Sequence, residues 1–177
     1  GNAFAYEPVV WVLGLVGRFG FLAVVMAFFA GQFIEHFKYS GLDRMLAMTG
    51  GQALGPAELR DWRFLINTRT YATIEARPGA ATHGVLWSLT PGHITELDHY
   101  EAVAEGMYFK KTLIVQRTDG PVEALVYIDP VREFGQPEPA YLRTILEGAA
   151  HFGLPAEYIA GLARDWDVTN ATSGQRE

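Results

Sequence analysis

The longest apolar stretch of the chain runs from Val9 to Ile34, VVWVLGLVGRFGFLAVVMAFFAGQFI, with Arg18 as its one charged residue. As a helix it would reach roughly 39 Å, enough to cross the ~30 Å hydrocarbon layer of a membrane with some tilt. No basic segment precedes it, the run is too long for a secretion signal, and Phe28 stands where a signal-cleavage site needs a small residue. A core helix of a soluble protein is disfavoured by the length and by apolar residues on every side. A single transmembrane α-helix over 9–34 is therefore expected, after a short tail at 1–8. The partners this implies are the lipid bilayer and other membrane helices.

Two features of that helix bear on its neighbours. Arg18 falls near mid-depth, where a charge costs about 2.5–3.5 kcal/mol and is expected to face protein rather than lipid. Gly20, Ala23, Ala27 and Gly31 share one face spanning about 80° at 100° per residue, and small residues so spaced let a second helix approach closely. The basic residues nearest the span, Lys38 and Arg44, both follow it, which places the rest of the chain on the cytoplasmic side.

Beyond the span the pattern changes to short β-branched and aromatic runs. Phe37 to about Gly50 reads as a short strand or turn and then a helical piece. RFLIN at 63–67, YATIE at 71–75 and HGVLWSL at 83–89 read as strands. Thr90 is the expected N-cap of a helix that begins with Pro91 and runs to about Tyr100. Tyr108–Gln116 and Val122–Ile128 flank Asp119-Gly120, a hairpin signal. Ala140–Phe152 reads as a helix stopped by Gly153, and Pro155 opens another to about Ala163. Strands outnumber helices, so the expectation is an α+β domain over 36–165, a mixed curled sheet or small barrel with flanking helices, and a polar tail at 166–177.

Composition narrows the chemistry. The net charge is −6 with no run of Lys or Arg, so a nucleic-acid partner is not expected. There are no cysteines, which excludes disulfides, thiolate metal sites and a cysteine nucleophile. The five histidines are scattered without the i, i+4 spacing of helical zinc sites. No P-loop, dinucleotide fingerprint or nucleophile elbow is present outside the span, so no metal or cofactor is expected. One carboxylate stands out. Glu101 closes the helix that starts at Pro91, where the negative end of the helix dipole disfavours a charged carboxylate; beside Tyr100 and Tyr108, that suits a general acid/base.

GPAEL at 55–59, YATI at 71–74, HGVLWSL at 83–89, LDHYEAVAEGMY at 97–108 and PAYLRTILEGAAHFGLPAEYIAGL at 139–162 occur in one order. Together they resemble the γ-glutamylcyclotransferase (AIG2-like) family over roughly residues 53–163. The resemblance implies that Glu101 is the catalytic acid/base and that Tyr108 and Tyr141 line a pocket for a γ-glutamyl substrate, cyclised to 5-oxoproline. It also implies that Tyr39, Ser40 and Gly41 stand in the substrate-holding loop. There the chain departs from the family: Tyr-Gly-Ser-Asn is replaced by Tyr39-Ser40-Gly41-Leu42, the stretch to Gly55 is shorter, and Ala102 follows Glu101 where glycine is customary. Loss of an oxyanion donor typically costs about 10²–10³ in rate. Two functions follow as expectations. One is a membrane-anchored cyclotransferase; the other is a catalytically degenerate accessory subunit of an electron-transfer or photosynthetic type of membrane complex, docked through its helix.

Overall fold

The computed structural model describes residues 33–40 and 51–166. The expected membrane span, with Arg18, Gly20, Ala23, Ala27 and Gly31, lies outside these residues apart from its last two. Among the described residues no helix is long and apolar enough to cross a membrane. Ile34, placed above at the end of that span, instead opens the first strand of the domain.

The described residues form five strands and three helices: β1 (Ile34–Lys38), β2 (Gln52–Ile66), β3 (Ala72–Leu89), α1 (Pro91–Tyr100), β4 (Phe109–Arg117), β5 (Gly120–Ile128), α2 (Pro139–His151) and α3 (Ala156–Asp165). The strands close a barrel in the order β1-β3-β2-β4-β5. Neighbours are antiparallel except β1 and β5, which run parallel and meet at His36 and Leu125. The α+β barrel with flanking helices is thus as expected from the strand pattern.

Alternation explains how β3 serves two layers. Leu86 enters a buried cluster with Phe37, Leu59, Leu65, Val126 and the α2 residue Ile145. Val85, Trp87 and Leu89 point the other way and pack with Ile94 and Leu97 of α1. A strand covered on both faces needs apolar residues at successive positions, which is why HGVLWSL reads so clearly.

Two expectations about boundaries are corrected. RFLI of the first expected strand is the end of a longer strand, β2, that also takes in GPAEL, and the expected strands YATIE and HGVLWSL belong, from Ala72 on, to one strand, β3. The ladder between them shifts where Arg60 pairs with Ala81 but Trp62 pairs with Ala76, leaving Arg77–Ala80 as a bulge. Asp61 turns there with φ 63° and accepts the Gly79 N–H at 2.8 Å. Backbone pairing continues through this solvent-facing stretch while hydrophobic period does not, so the sequence shows two runs where the fold has one strand. Trp166, expected to begin the polar tail, is 7 % exposed, joins the core and stacks on Phe134 at 5.9 Å.

The helix termini follow local rules. Thr90 caps α1 through a capping box, its hydroxyl accepting from the His93 N–H while His93 accepts the Thr90 N–H. α2 ends in a Schellman turn, in which Gly153 N–H donates to Ala150 and Leu154 N–H to Ala149, with Gly153 at φ 70°. α1 ends in the same turn: Ala102 N–H donates to His99 and Val103 N–H to Asp98. Here the left-handed position is Ala102, at φ 48°. A residue with a Cβ costs about 1–2 kcal/mol in that region, and glycine's greater unfolded-state freedom takes back about half of this. Ala102→Gly should therefore stabilise the protein by about 0.5–1 kcal/mol in urea unfolding; a loss of stability would show that the turn tolerates alanine without strain.

Candidate active site

The Schellman turn that ends α1 makes Glu101 its C-cap residue, anchored by its own N–H to Leu97. Its side chain therefore leaves the helix at a position set by backbone hydrogen bonds. On β1, His36 and Lys38 share one face, opposite Phe37 and Tyr39, because successive strand residues alternate. The strand brings Lys38 to Glu101, with Nζ to Oε1 2.8 Å and the two side chains 13 % and 10 % exposed. The carboxylate expected to be an isolated acid at a helix terminus has an ammonium counter-ion. Sequence reading counted Lys38 only as a basic residue flanking the membrane span.

Around this pair is a cavity of about 20 Å³, lined by Lys38, Tyr39, Ser40, Glu101 and Tyr108, with His36 and Tyr127 also at its wall. Such a volume accommodates about one water molecule. Four of the expected residues, Tyr39, Ser40, Glu101 and Tyr108, are thus brought together. Tyr141 stands next to them: its hydroxyl accepts the Ala72 N–H at 3.2 Å, while Tyr108 donates to the Ala72 carbonyl at 3.0 Å. Gly41 lies outside the described residues. A larger cavity, about 620 Å³, opens beside Arg63, Phe134, Tyr158 and Trp166, and takes in neither Glu101 nor the three tyrosines.

The phenols are committed. Tyr39 donates to the Tyr127 carbonyl at 2.7 Å and Tyr127 to Asp98 at 2.6 Å. Burial, with the negative charge of Glu101 adding to it, pushes Tyr39 and Tyr108 well above the usual phenol range, so both stay neutral at physiological pH. They shape and dry the site rather than transfer protons.

Two elements hold the far wall. Asn67 accepts the N–H groups of Arg69 and Tyr71 and donates to the Val131 carbonyl, fixing the turn between β2 and β3. Arg69 pairs with the fully buried Asp129 at 2.5 Å, which ties that turn to the end of β5. Ala72, which holds Tyr108 and Tyr141, follows directly.

Residues 81–162 match the AIG2-like family. The γ-glutamylcyclotransferases of Mus musculus and Bos taurus are each 34 % identical over 88 residues, 49 % of this chain and 47 % of theirs. The matched segment thus spans about half the length of these curated relatives. A solved γ-glutamyl cyclotransferase superposes with a TM-score of 0.69 at 26 % identity, covering 74 % of this chain and 86 % of that one. The chain carries a γ-glutamylcyclotransferase-like domain. YkqA from Bacillus subtilis shares the fold at 18 % identity and a TM-score of 0.70, over 81 % of this chain and 57 % of its own. The family match includes Glu101, Tyr108 and Tyr141 but not β1, so Lys38 enters the site of this γ-glutamylcyclotransferase-like domain through tertiary structure alone.

His36 is the residue of the site that sequence reading passed over as one of five scattered histidines. It is 1 % exposed, and burial, helped by the Lys38 ammonium, lowers its pKa to about 3. The neutral ring donates from Nδ1 to the Leu125 carbonyl at 2.8 Å. Because the folded pKa lies below the unfolded value near 6.5, only the unfolded chain gains a proton between these values. Stability therefore falls as pH drops from about 6.5 toward 3, by up to about 1.4 kcal/mol per pH unit. Between pH 6.5 and 5, wild type should lose about 2 kcal/mol more than His36→Gln in urea unfolding. Parallel losses in the two proteins would refute a neutral buried His36.

Proposed function

We propose that this domain cyclises a γ-glutamyl amide to 5-oxoproline, with Glu101 as acid/base, and that the apolar N-terminal segment anchors it to a membrane. The observation that carries the reading is a buried carboxylate, positioned by a backbone-bonded turn, beside the tyrosines at the places the family resemblance gives them. In the reaction Glu101 takes a proton from the substrate α-ammonium. The freed amine attacks the side-chain carbonyl carbon, the new C–N bond closes the five-membered ring, and the C–N bond to the leaving amine breaks. Glu101 returns its proton to the departing nitrogen, and the second proton shed by the ring nitrogen follows the same route, so the amine leaves as an ammonium and Glu101 is again a carboxylate. Nucleophile and electrophile belong to one folded substrate, so their proximity supplies much of the rate.

The second reading, an accessory subunit without catalysis, is favoured by a different observation. Lys38 occupies the carboxylate, and the cavity of about 20 Å³ leaves no room for a glutamyl group until that pair separates. In this reading the apolar segment packs against other membrane helices through Arg18 and the stripe of small residues.

Two measurements separate them. The full chain, incubated with γ-glutamyl dipeptides and γ-glutamylamines, should release 5-oxoproline, and Glu101→Gln should lower that rate by about 10²–10⁴. Equal background from both proteins ends the enzymatic reading. Extraction in mild detergent tests the accessory one: a stable complex with other membrane proteins is expected, and a monodisperse monomer counts against it.

A further inference from the structure

We propose that Lys38 and Glu101 form an ion pair that opens to receive a zwitterion, the ammonium of an α-amino-acid head group passing to Glu101 and its α-carboxylate to Lys38. The inference depends on the cyclisation reading for the role of Glu101. It adds the residue that recognises the other end of the head group, and with it a substrate requirement.

Both side chains are about nine-tenths covered, at 13 % and 10 % exposure, and their charges meet at 2.8 Å. A ligand entering a site that holds about one water must separate them. If the ligand carries a single charge, one of the two protein ions is left without a partner in a largely dry site, which is strongly unfavourable. A zwitterion whose ammonium and carboxylate are both bonded to one carbon replaces both partners at once. The exchange conserves every ion pair.

The two side chains are unequal in mobility. Glu101 leaves the capped end of α1, whereas Lys38 reaches the pair on a flexible four-carbon stem. The ammonium swings while the carboxylate stays in place, which leaves the acid/base aligned for the substrate amine. The other ionisable groups described at the wall do not compete for the α-carboxylate. Tyr39 and Tyr127 donate elsewhere, Tyr108 donates to Ala72, and His36 is neutral. Among the described residues lining the cavity, Lys38 is the cation available.

The same exchange accounts for product departure. 5-Oxoproline keeps the carboxylate but has converted the ammonium into a lactam N–H, so it no longer satisfies Glu101. Re-forming the Lys38–Glu101 pair displaces it. The substrates so selected carry a free α-carboxylate as well as a free α-amine, and α-amidated glutamyl compounds are excluded.

Ligand-observed NMR with the full chain tests this, using γ-glutamyl methylamide and its α-carboxamide counterpart as probes. Binding and any 5-oxoproline are read in the same tube. Wild type should bind the carboxylate compound at least tenfold more tightly. Lys38→Met should remove that preference, weakening the carboxylate compound while the carboxamide compound binds at least as tightly as to wild type, and Lys38→Arg should retain it; urea unfolding checks that each variant is folded. Tighter binding of the carboxylate compound to Lys38→Met would mean that the lysine merely plugs the site. A preference that survives in Lys38→Met, or absence of binding to wild type, equally overturns the proposal. Failure of the catalytic reading looks different: a Lys38-dependent preference persists while wild type and Glu101→Gln release the same 5-oxoproline.

Discussion

Closure of the barrel depends on how closely β1 lies against β3, and Gly84 sets that distance. A Cβ at residue 84 would stand 2.4 Å from the Lys38 carbonyl oxygen and 2.8 Å from the Phe37 ring. With no side chain there, the five-residue β1 fits between β3 and β5 and completes the ring of strands. The chemistry is suspended from that short strand. Phe37 goes to the core, His36 and Lys38 to the opposite face, and Tyr39 and Ser40 continue into the cavity wall. Any residue larger than glycine at 84 presses on the backbone of Lys38 itself.

Against this strand stands a carboxylate whose position is held by helix termination. Ala102 accepts a left-handed conformation so that the turn after Tyr100 can close, and the strain is a local cost of keeping Glu101 where it is. The resulting ion pair is a poor source of net stability, since desolvation offsets much of the attraction between enclosed charges. What it provides is electrostatic definition, a fixed anion with one mobile cation beside it. His36 reports the same environment from the other side, because the ammonium and the lack of water together keep its ring neutral.

Much of this architecture was legible from local pattern. Thr90-Pro91 announced the start of α1, Gly153 the end of α2, and Asp119-Gly120 the β4–β5 turn, whose two turn residues are Thr118 and Asp119 with Gly120 opening β5. LDHYEAVAEGMY pointed to Glu101 and Tyr108, and the late helix to Tyr141. The long β2–β3 hairpin was less visible, because its middle is exposed and its pairing is carried by backbone groups that leave no trace in side-chain type. Trp166 was assigned to a polar tail because the residues that follow it are mostly polar, whereas its partner Phe134 is 32 residues away and belongs to a loop.

By itself the sequence determined the caps, the turns and the two-faced apolar strand, and pointed to Glu101 as the candidate acid, since each depends on residues within a few positions of one another. Tertiary structure alone decided what that acid touches. Lys38 and Glu101 are 63 residues apart, and no periodicity or motif links a strand residue near the start of the domain to a helix cap beyond β3. Their meeting is a consequence of barrel closure. That closure converts a lysine that reads as a membrane-flanking charge into the counter-ion of the site.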